Sequence, residues 1–326
     1  MGKYDVFGLD HPCIDLNVNF DEMPEKNKGA RVNEMSWQGG GKVSSGIVAA
    51  ARLGASCAIA GALGDDIYGK FCYQDFVRHG INVDNMLLRE GKTTHFSVVL
   101  SEKEAGTRTI LFRMGDAGAL TEEELDFELL KKARYLFIAD CSPLTCKAVA
   151  AARENGVRVF IDADYYTDAL VEMIPQIDVF VGSEFVFDGL FAGSKEKGLE
   201  NLEEECRKIM EKGPEVVVFT FGEKGCVGCD GGGYFTLPAF RVDAVDTVGA
   251  GDVFHGAFLA ALLKGKTAKE CARSASAVSA IKCTKIGGRA GIPDEQVLEE
   301  FLHSGIIDYS EIDQRVAYYR RGLEYV

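Results

Sequence analysis

The sequence is short of positive charge: 36 lysines and arginines stand against 50 aspartates and glutamates, a formal net charge of −14. That balance argues against nucleic-acid or anionic-membrane partners, which need clustered cations to displace counterions, so a phosphate ligand must be held by local groups. No apolar run is long enough to span a bilayer. Residues 1–5 lead straight into an apolar strand with no secretory hydrophobic segment, which sets the expectation of a cytoplasmic protein. A zinc arrangement is also missing. Of Cys13, Cys57, Cys72, Cys141, Cys146, Cys206, Cys226, Cys229, Cys271 and Cys283, only Cys226 and Cys229 have the spacing of half a site, with no second pair and no histidine near. Reduced thiols in apolar segments are the expectation. Internal repeats and low-complexity segments are absent.

What is present is a globular balance, 47% hydrophobic and 26% charged, in a 326-residue chain that accommodates one large core carrying a smaller insertion. Apolar runs at 4–9, 57–63, 135–139, 157–162, 179–181 and 216–221 read as strands, and 43–53, 67–79 and 143–155 have helical periodicity. Repeated β-then-α units predict an α/β fold, a doubly wound, mostly parallel sheet flanked by helices, with ligands at the carboxyl ends of the strands. Two stretches break the pattern. Residues 12–38 are polar and turn-rich, while 93–100 and 107–112 read as a hairpin. Together, over about 12–38 and 91–116, they are expected to form a small β-sheet lid inserted in a single domain spanning 1–326. Glu122, Glu123 and Glu124 after Thr121 read as a helix first turn, and 306–326 as a peripheral helix.

Asp246-Thr-Val-Gly-Ala-Gly-Asp252 carries the strongest chemical signal. Phe254, Phe258, Ala261 and Leu262 share one helical face, so a helix begins near Ala250 and its N-terminus abuts Gly249 and Gly251. Converging backbone N–H groups and the helix end make an anion cradle there. Asp252 would repel a bound phosphate unless it served the group attacking it. A carboxylate at a helix N-terminus stays ionised and can take the proton of an alcohol as phosphoryl transfer proceeds. The plain alternative is an Asp that caps the helix. A second glycine run, Gly39-Gly-Gly-Lys-Val-Ser-Ser45, enters a small-residue helix and offers Lys42, Ser44 and Ser45 for hydrogen bonds. Its spacing is not that of a P-loop, and it is as good a turn as a polyol site.

These residues resemble the ribokinase-like (PfkB) carbohydrate kinases over nearly the whole chain: 8–15, the glycine run, 63–69, 220–225 and 246–252. The resemblance implies a β lid on the α/β core, ATP and Mg2+, and homodimers formed through the lid. It assigns Asp252 as catalytic base and the backbone of Gly249, Ala250 and Gly251 as anion hole. Asp15, at the end of the first strand, together with Gly40, Gly41, Lys42, Ser45 and Arg108, falls to the sugar. Thr220, Gly222, Gly225 and Thr247 fall to the nucleotide. Asp246 and the Val248 carbonyl fall to a monovalent cation, K+, and Glu184 to the water network of Mg2+. Ser45 stands where many members have Asn, which moves the expected substrate from ribose toward hexose-type or acidic sugars.

Arg108 and Arg113 on the hairpin, and His11 and His95 near the sugar site, each have the plain reading of solvated or structural side chains. His255 is assigned to packing. Asp162 and Asp164 end a strand, where they order metal-bound water or cap a loop. The leading function is sugar phosphorylation. A nucleoside kinase needs an aromatic sandwich from Phe20, Trp37, Phe96 or Phe112, and a sugar-phosphate kinase needs a cationic cluster from Lys42, Arg108 and Arg113. A noncatalytic sugar or nucleotide sensor has no use for Asp252.

Overall fold

The β-branched and aromatic runs become strands buried on both faces, because helices cover both sides of a mostly parallel sheet. The computed structural model describes residues 3–104 and 107–326; Met1, Gly2 and the hairpin-loop residues Ala105 and Gly106 lie outside the described residues. The strands are β1 (Tyr4–Leu9), β2 (Cys13–Phe20), β3 (Val32–Gly40), β4 (Cys57–Gly64), β5 (Asn82–Arg89), β6 (His95–Glu102) and β7 (Thr107–Arg113), then β8 (Ala133–Ile138), β9 (Arg158–Ala163), β10 (Val179–Ser183), β11 (Val216–Thr220), β12 (Cys226–Asp230) and β13 (Gly233–Leu237). The helices are α1 (Lys42–Arg52), α2 (Ile67–Arg78), α3 (Phe127–Leu130), α4 (Pro143–Glu154), α5 (Asp168–Met173) and α6 (Glu184–Leu190), then α7 (Glu203–Met210), α8 (Ala250–Leu263), α9 (Ala268–Cys283), α10 (Glu295–Ser304) and α11 (Ser310–Arg321).

The main sheet runs β13-β12-β11-β10-β9-β8-β1-β4-β5 and is parallel except at β12 and β13. On one side Val43, Ile47, Phe258 and Ala275 join α1, α8 and α9 to it; on the other Val149, Leu170 and Cys206 join α4, α5 and α7. This is the expected doubly wound α/β architecture, with strands β5, β12 and β13 lying outside the runs that periodicity marked. A separate four-stranded sheet runs β3-β2-β6-β7 and takes its strands from the two stretches that broke the β-then-α pattern. No helix among the described residues is long and apolar enough to cross a membrane.

One close approach fixes the centre of the molecule. A Cβ on Gly256 of α8 would lie 1.8 Å from the Gly46 carbonyl of α1, and one on Gly46 would lie 2.9 Å from the Asp252 carbonyl. The two helices therefore touch backbone to backbone, which brings the α1 glycine entry and the start of α8 side by side.

Three sequence expectations change. The acidic run 122–124 is a turn, and the next helix, α3, starts only at Phe127, because Asp126 caps it by accepting from the Leu129 N–H. The tail is not peripheral: α11 buries Ile312 and Tyr319 completely. Asp15 lies in β2, not at the end of the first strand; the aspartate that follows β1 is Asp10. Cys226 and Cys229 pack on opposite faces of the main sheet, which rules out a shared metal, and all ten cysteines are free thiols.

Candidate active site

The parallel strands end on one edge, and the residues just past or at those ends are Asp10, Asp164, Ser183 and Thr220. The α8 N-terminus points to the same edge. Gly249, its cap residue, has φ 69°, and a Cβ there would also meet Gly288 Cα at 2.9 Å, so conformation and space both demand glycine. The Ala250 N–H is directed to the Thr247 carbonyl at 3.2 Å. Those of Gly251 and Asp252 find no protein acceptor among the described residues, and Gly251 faces open space. The donors of the cradle without a protein acceptor among the described residues are thus Gly249, Gly251 and Asp252, with Ala250 turned aside.

Asp252 sits among acids. Burial pushes its carboxyl well above the ordinary range, Asp162, Asp10 and Asp164 add to the rise, and Lys42 opposes it. The helix end alone would hold this carboxyl down; enclosure wins. Asp162 is raised by the same burial, with His255 and Lys42 pulling the other way. Its Oδ2 is buried without a hydrogen-bond partner among the described residues. His255 accordingly does more than pack: its Nδ1 meets the Gly251 carbonyl at 2.6 Å, and its Nε2 lies 3.2 Å from the Val181 carbonyl and 3.4 Å from Asp162 Oδ1. It ties the first turn of α8 to β9 and β10. Lys42 is not a solvated lysine either. Its ammonium bonds Asp164 Oδ2 at 2.7 Å and lies over the Tyr165 ring.

Asp10, which the sequence reading passed over, accepts from the Ser44 N–H at 2.6 Å, and a Cβ on Gly41 would lie 2.7 Å from its Oδ2. It is the hinge between the glycine entry and the acids; its place directly after an apolar strand was the available signal. Asp15 faces Gly40, whose Cβ would come within 2.3 Å of Asp15 Oδ2. Burial raises the Asp15 carboxyl, while bonds to Cys13 and Ser97 and the charge of Arg289 hold the rise in check. Ser45 is buried in the first turn of α1.

Strand register sorts the second sheet. Asp15 lies opposite Gln38 and Ser97, and Ser97 opposite Phe112, so these share a face. Trp37 and Phe96 fall on the other face, where they stack with Tyr68 of α2 at ring separations of 5.7 and 5.5 Å. Phe112, two strands from Asp15 on the same face, is 72% exposed, and Phe20 is buried. Arg108 pairs with Ser101 on the Asp15 face and lies near Cys283, whose thiol burial pushes up against the pull of Lys282 and Arg108, while Arg113 pairs with Phe96 on the opposite face. His95 is held below its usual range by burial and by His11.

Of the residues expected at the nucleotide, Thr220 bonds the Gly182 carbonyl, and Gly222 (φ 56°) and Gly225 (φ 97°) form the tight turn between β11 and β12. A Cβ on Gly225 would strike the Leu237 carbonyl at 2.0 Å. Thr247 is exposed. Glu184 is engaged by Lys195 at 3.0 Å, and Ser183 caps α6 while donating to the Asp164 carbonyl. Asp246 does not present a free carboxylate: it accepts from the Val248 N–H at 2.9 Å and the Gly287 N–H at 2.8 Å. Gln38 clamps the same 286–290 loop, donating to Ile286 and accepting from the N–H groups of Arg289 and Ala290.

Against this geometry, the comparisons with known proteins agree. Residues 4–295 match the profile of the pfkB family carbohydrate kinase. A nucleoside kinase of Methanothermobacter thermautotrophicus is 26% identical over 296 residues, covering 89% of this chain and 93% of its own. A ribokinase of Haemophilus influenzae is 28% identical, covering 81% of this chain and 87% of its own. Among solved structures, a protein of E. coli assigned as a ribokinase II, in complex with ATP and Mg2+, superposes with a TM-score of 0.79 at 21% identity, over 92% of this chain and 99% of its own.

Proposed function

The chain belongs to the pfkB family of carbohydrate kinases, so it is an ATP-dependent kinase with a hydroxyl acceptor, and from that premise we propose that its acceptor is a hydroxyl of a neutral sugar, with Asp252 as the base. One observation carries the reading: a carboxylate stands in the first turn of α8 beside the N–H donors of Gly249, Gly251 and Asp252, which have no protein acceptor among the described residues, with Asp15 and Gly40 paired across the glycine entry.

The acceptor oxygen attacks the γ-phosphorus, its bond to the ADP oxygen breaks, and the acceptor proton passes to the Asp252 carboxylate. The N–H groups of Gly251 and Asp252 receive the transferring phosphoryl oxygens, aided by the helix end. Thr220, Gly222, Gly225 and Thr247 lie where the nucleotide would bind. The donor set is oxygen-only and includes the unpartnered Asp162 Oδ2, which suits a hard cation. No three acidic, histidine or cysteine side chains converge on a metal-sized point among the described residues. Mg2+ would therefore be held mainly through water and phosphate, with Asp162, Asp164 and Glu184 at its outer shell, and when bound it neutralises phosphate charge.

Three features favour a neutral sugar over the alternatives within the family. Trp37 and Phe96 are spent on packing away from Asp15 and Phe20 is buried, which leaves Phe112 as the one of the four candidate lid aromatics open to a base on the Asp15 face. Lys42 is paired with Asp164 and Arg113 lies on the far face from Asp15, so of the three candidate cations Arg108 alone shares the Asp15 face, and the three form no cluster for a second phosphate or a sugar acid. Asp10, Asp15, Asp162, Asp164 and Asp252 would repel one. In this reading the four-stranded sheet is the lid, and its outer face, with Met35 and Leu111 exposed, is covered by a second copy of the chain. Free cysteines throughout agree with a cytoplasmic place of action.

The test is ADP release across neutral sugars, sugar acids, sugar phosphates and nucleosides. With the sugar found, Asp15→Ala is expected to raise its KM by about 10- to 100-fold, the worth of one bond to a charged group, and to leave the KM for ATP nearly unchanged. Equal effects on both substrates, or turnover confined to nucleosides, would overturn the assignment.

A further inference from the structure

The resemblance places K+ at Asp246 and the Val248 carbonyl, but the residues there do not fit a free cation. The Lys282 ammonium, on the last turn of α9 and fully buried, donates to the Asp246 carbonyl at 2.9 Å and to the Val248 carbonyl. An ammonium is a compact point charge that takes carbonyl oxygens much as an alkali cation does. The two cannot share these oxygens. We propose that Lys282 is a built-in monovalent cation: it fills the cation position itself, positions the anion-binding turn, and makes this kinase independent of K+.

The positioning follows from peptide geometry. In a trans peptide the carbonyl and the next N–H point in opposite directions. Holding the Val248 carbonyl toward Lys282 therefore turns the Gly249 N–H the other way, and Gly249 then enters the left-handed conformation that starts α8. The Asp246 carboxylate locks the same turn from its other side through the Val248 and Gly287 N–H groups. A buried carboxylate and a buried ammonium thus balance within one node, on the segment that leads into the N–H donors of Gly249, Gly251 and Asp252. Lys282 touches no reacting group; it is a positioning residue.

The inference rests on the kinase reading, but half of its test does not. Wild type, Lys282→Ala and Lys282→Met are compared in K+ and in tetramethylammonium salts of equal ionic strength, reading both turnover and thermal unfolding. Wild type is expected to show the same rate, within about twofold, and the same unfolding midpoint in the two salts. Lys282→Ala is expected to lose about 10²-fold in kcat in tetramethylammonium, the scale of losing one donor of an anion hole. K+ or NH4+ should restore at least a tenth of wild-type turnover and raise the midpoint of that variant. Lys282→Met, whose side chain fills the space, should gain from neither ion. Three results would each overturn the proposal: saturable K+ stimulation or K+-specific stabilisation of wild type, full turnover of Lys282→Ala without K+, or a folded Lys282→Ala that no small cation rescues. If both variants fail to fold, the wild-type comparison decides. If wild type phosphorylates nothing, the unfolding midpoints still decide, so failure here and failure of the kinase reading are separable.

Discussion

Asp252→Asn is expected to lower kcat by about 10²- to 10⁴-fold while leaving folding and ATP binding intact, which is the range for removing a general base. The amide keeps the shape of the carboxylate and its place in the first turn of α8 but cannot accept the proton of the acceptor hydroxyl. Electrostatics adds a second readout. Burial and the neighbouring Asp162 push the Asp252 carboxyl well up, and the reaction uses its ionised form. Activity should therefore fall as pH drops through a pKa above the usual carboxylate value, and this acid limb of kcat/KM should vanish in Asp252→Asn. Removing the like charge by Asp162→Asn should move the limb to lower pH. A loss of less than about tenfold in Asp252→Asn, or an unchanged limb, would leave Asp252 as a helix cap and place the base elsewhere.

Arg289→Met is expected to destabilise the fold by about 3–5 kcal/mol, because it leaves Asp75 as a buried charge without its cation. The Arg289 guanidinium meets Asp75 Oδ2 at 2.7 Å with both side chains fully buried, and donates to the Gly40 carbonyl at 3.1 Å. Tyr319 of α11 donates to Asp75 Oδ1 at 2.7 Å. This node joins α2, the end of β3, the 286–290 loop and the C-terminal helix, and a Cβ on Gly39 would run into the guanidinium. His79 lies against the same carboxylate, and burial holds it at a pKa of about 4, so it supplies no charge at neutral pH. Urea unfolding of Arg289→Met, Asp75→Leu and the double variant checks the account. The double variant should lose less than either single change, since apolar replacement of both partners removes the stranded charge. Additive losses, or a single-variant cost below about 1 kcal/mol, would mean that the pair is not what secures this junction.

How much of this was legible in the sequence depends on the range of the forces involved. The α8 cradle was readable because its parts, Asp246 to Asp252, are seven consecutive residues whose glycines and helical face are local signals. Strand β2 was readable too, since Ile14-Asp-Leu-Asn-Val-Asn-Phe20 alternates with period two, yet its polar half invited a reading as loop. The polar side chains turn out to form one face, shared with Gln38 and Ser97, while Leu16 and Val18 form the other. Asp10 was visible as an acid after a strand but had no local reason to be chosen over Asp15.

Arg289 and Lys282 were hidden for a different reason. Arg289 meets a carboxylate 214 residues earlier in the chain, and Lys282 a carbonyl 36 residues away. A lone cation in an apolar stretch reads as a snorkelling or solvated side chain until its partner is known. By itself the sequence determined the α/β order, the cradle and the acid beside it, because periodicity and capping act within a few residues. Tertiary structure alone decided which acids share a field, that Lys42 answers to Asp164, that the aromatics of the second sheet turn away from Asp15, and that a lysine fills the cation position. Those are distances between elements, fixed by the backbone contact of α1 with α8 and by strand register across the second sheet, and desolvation gives each of them its strength.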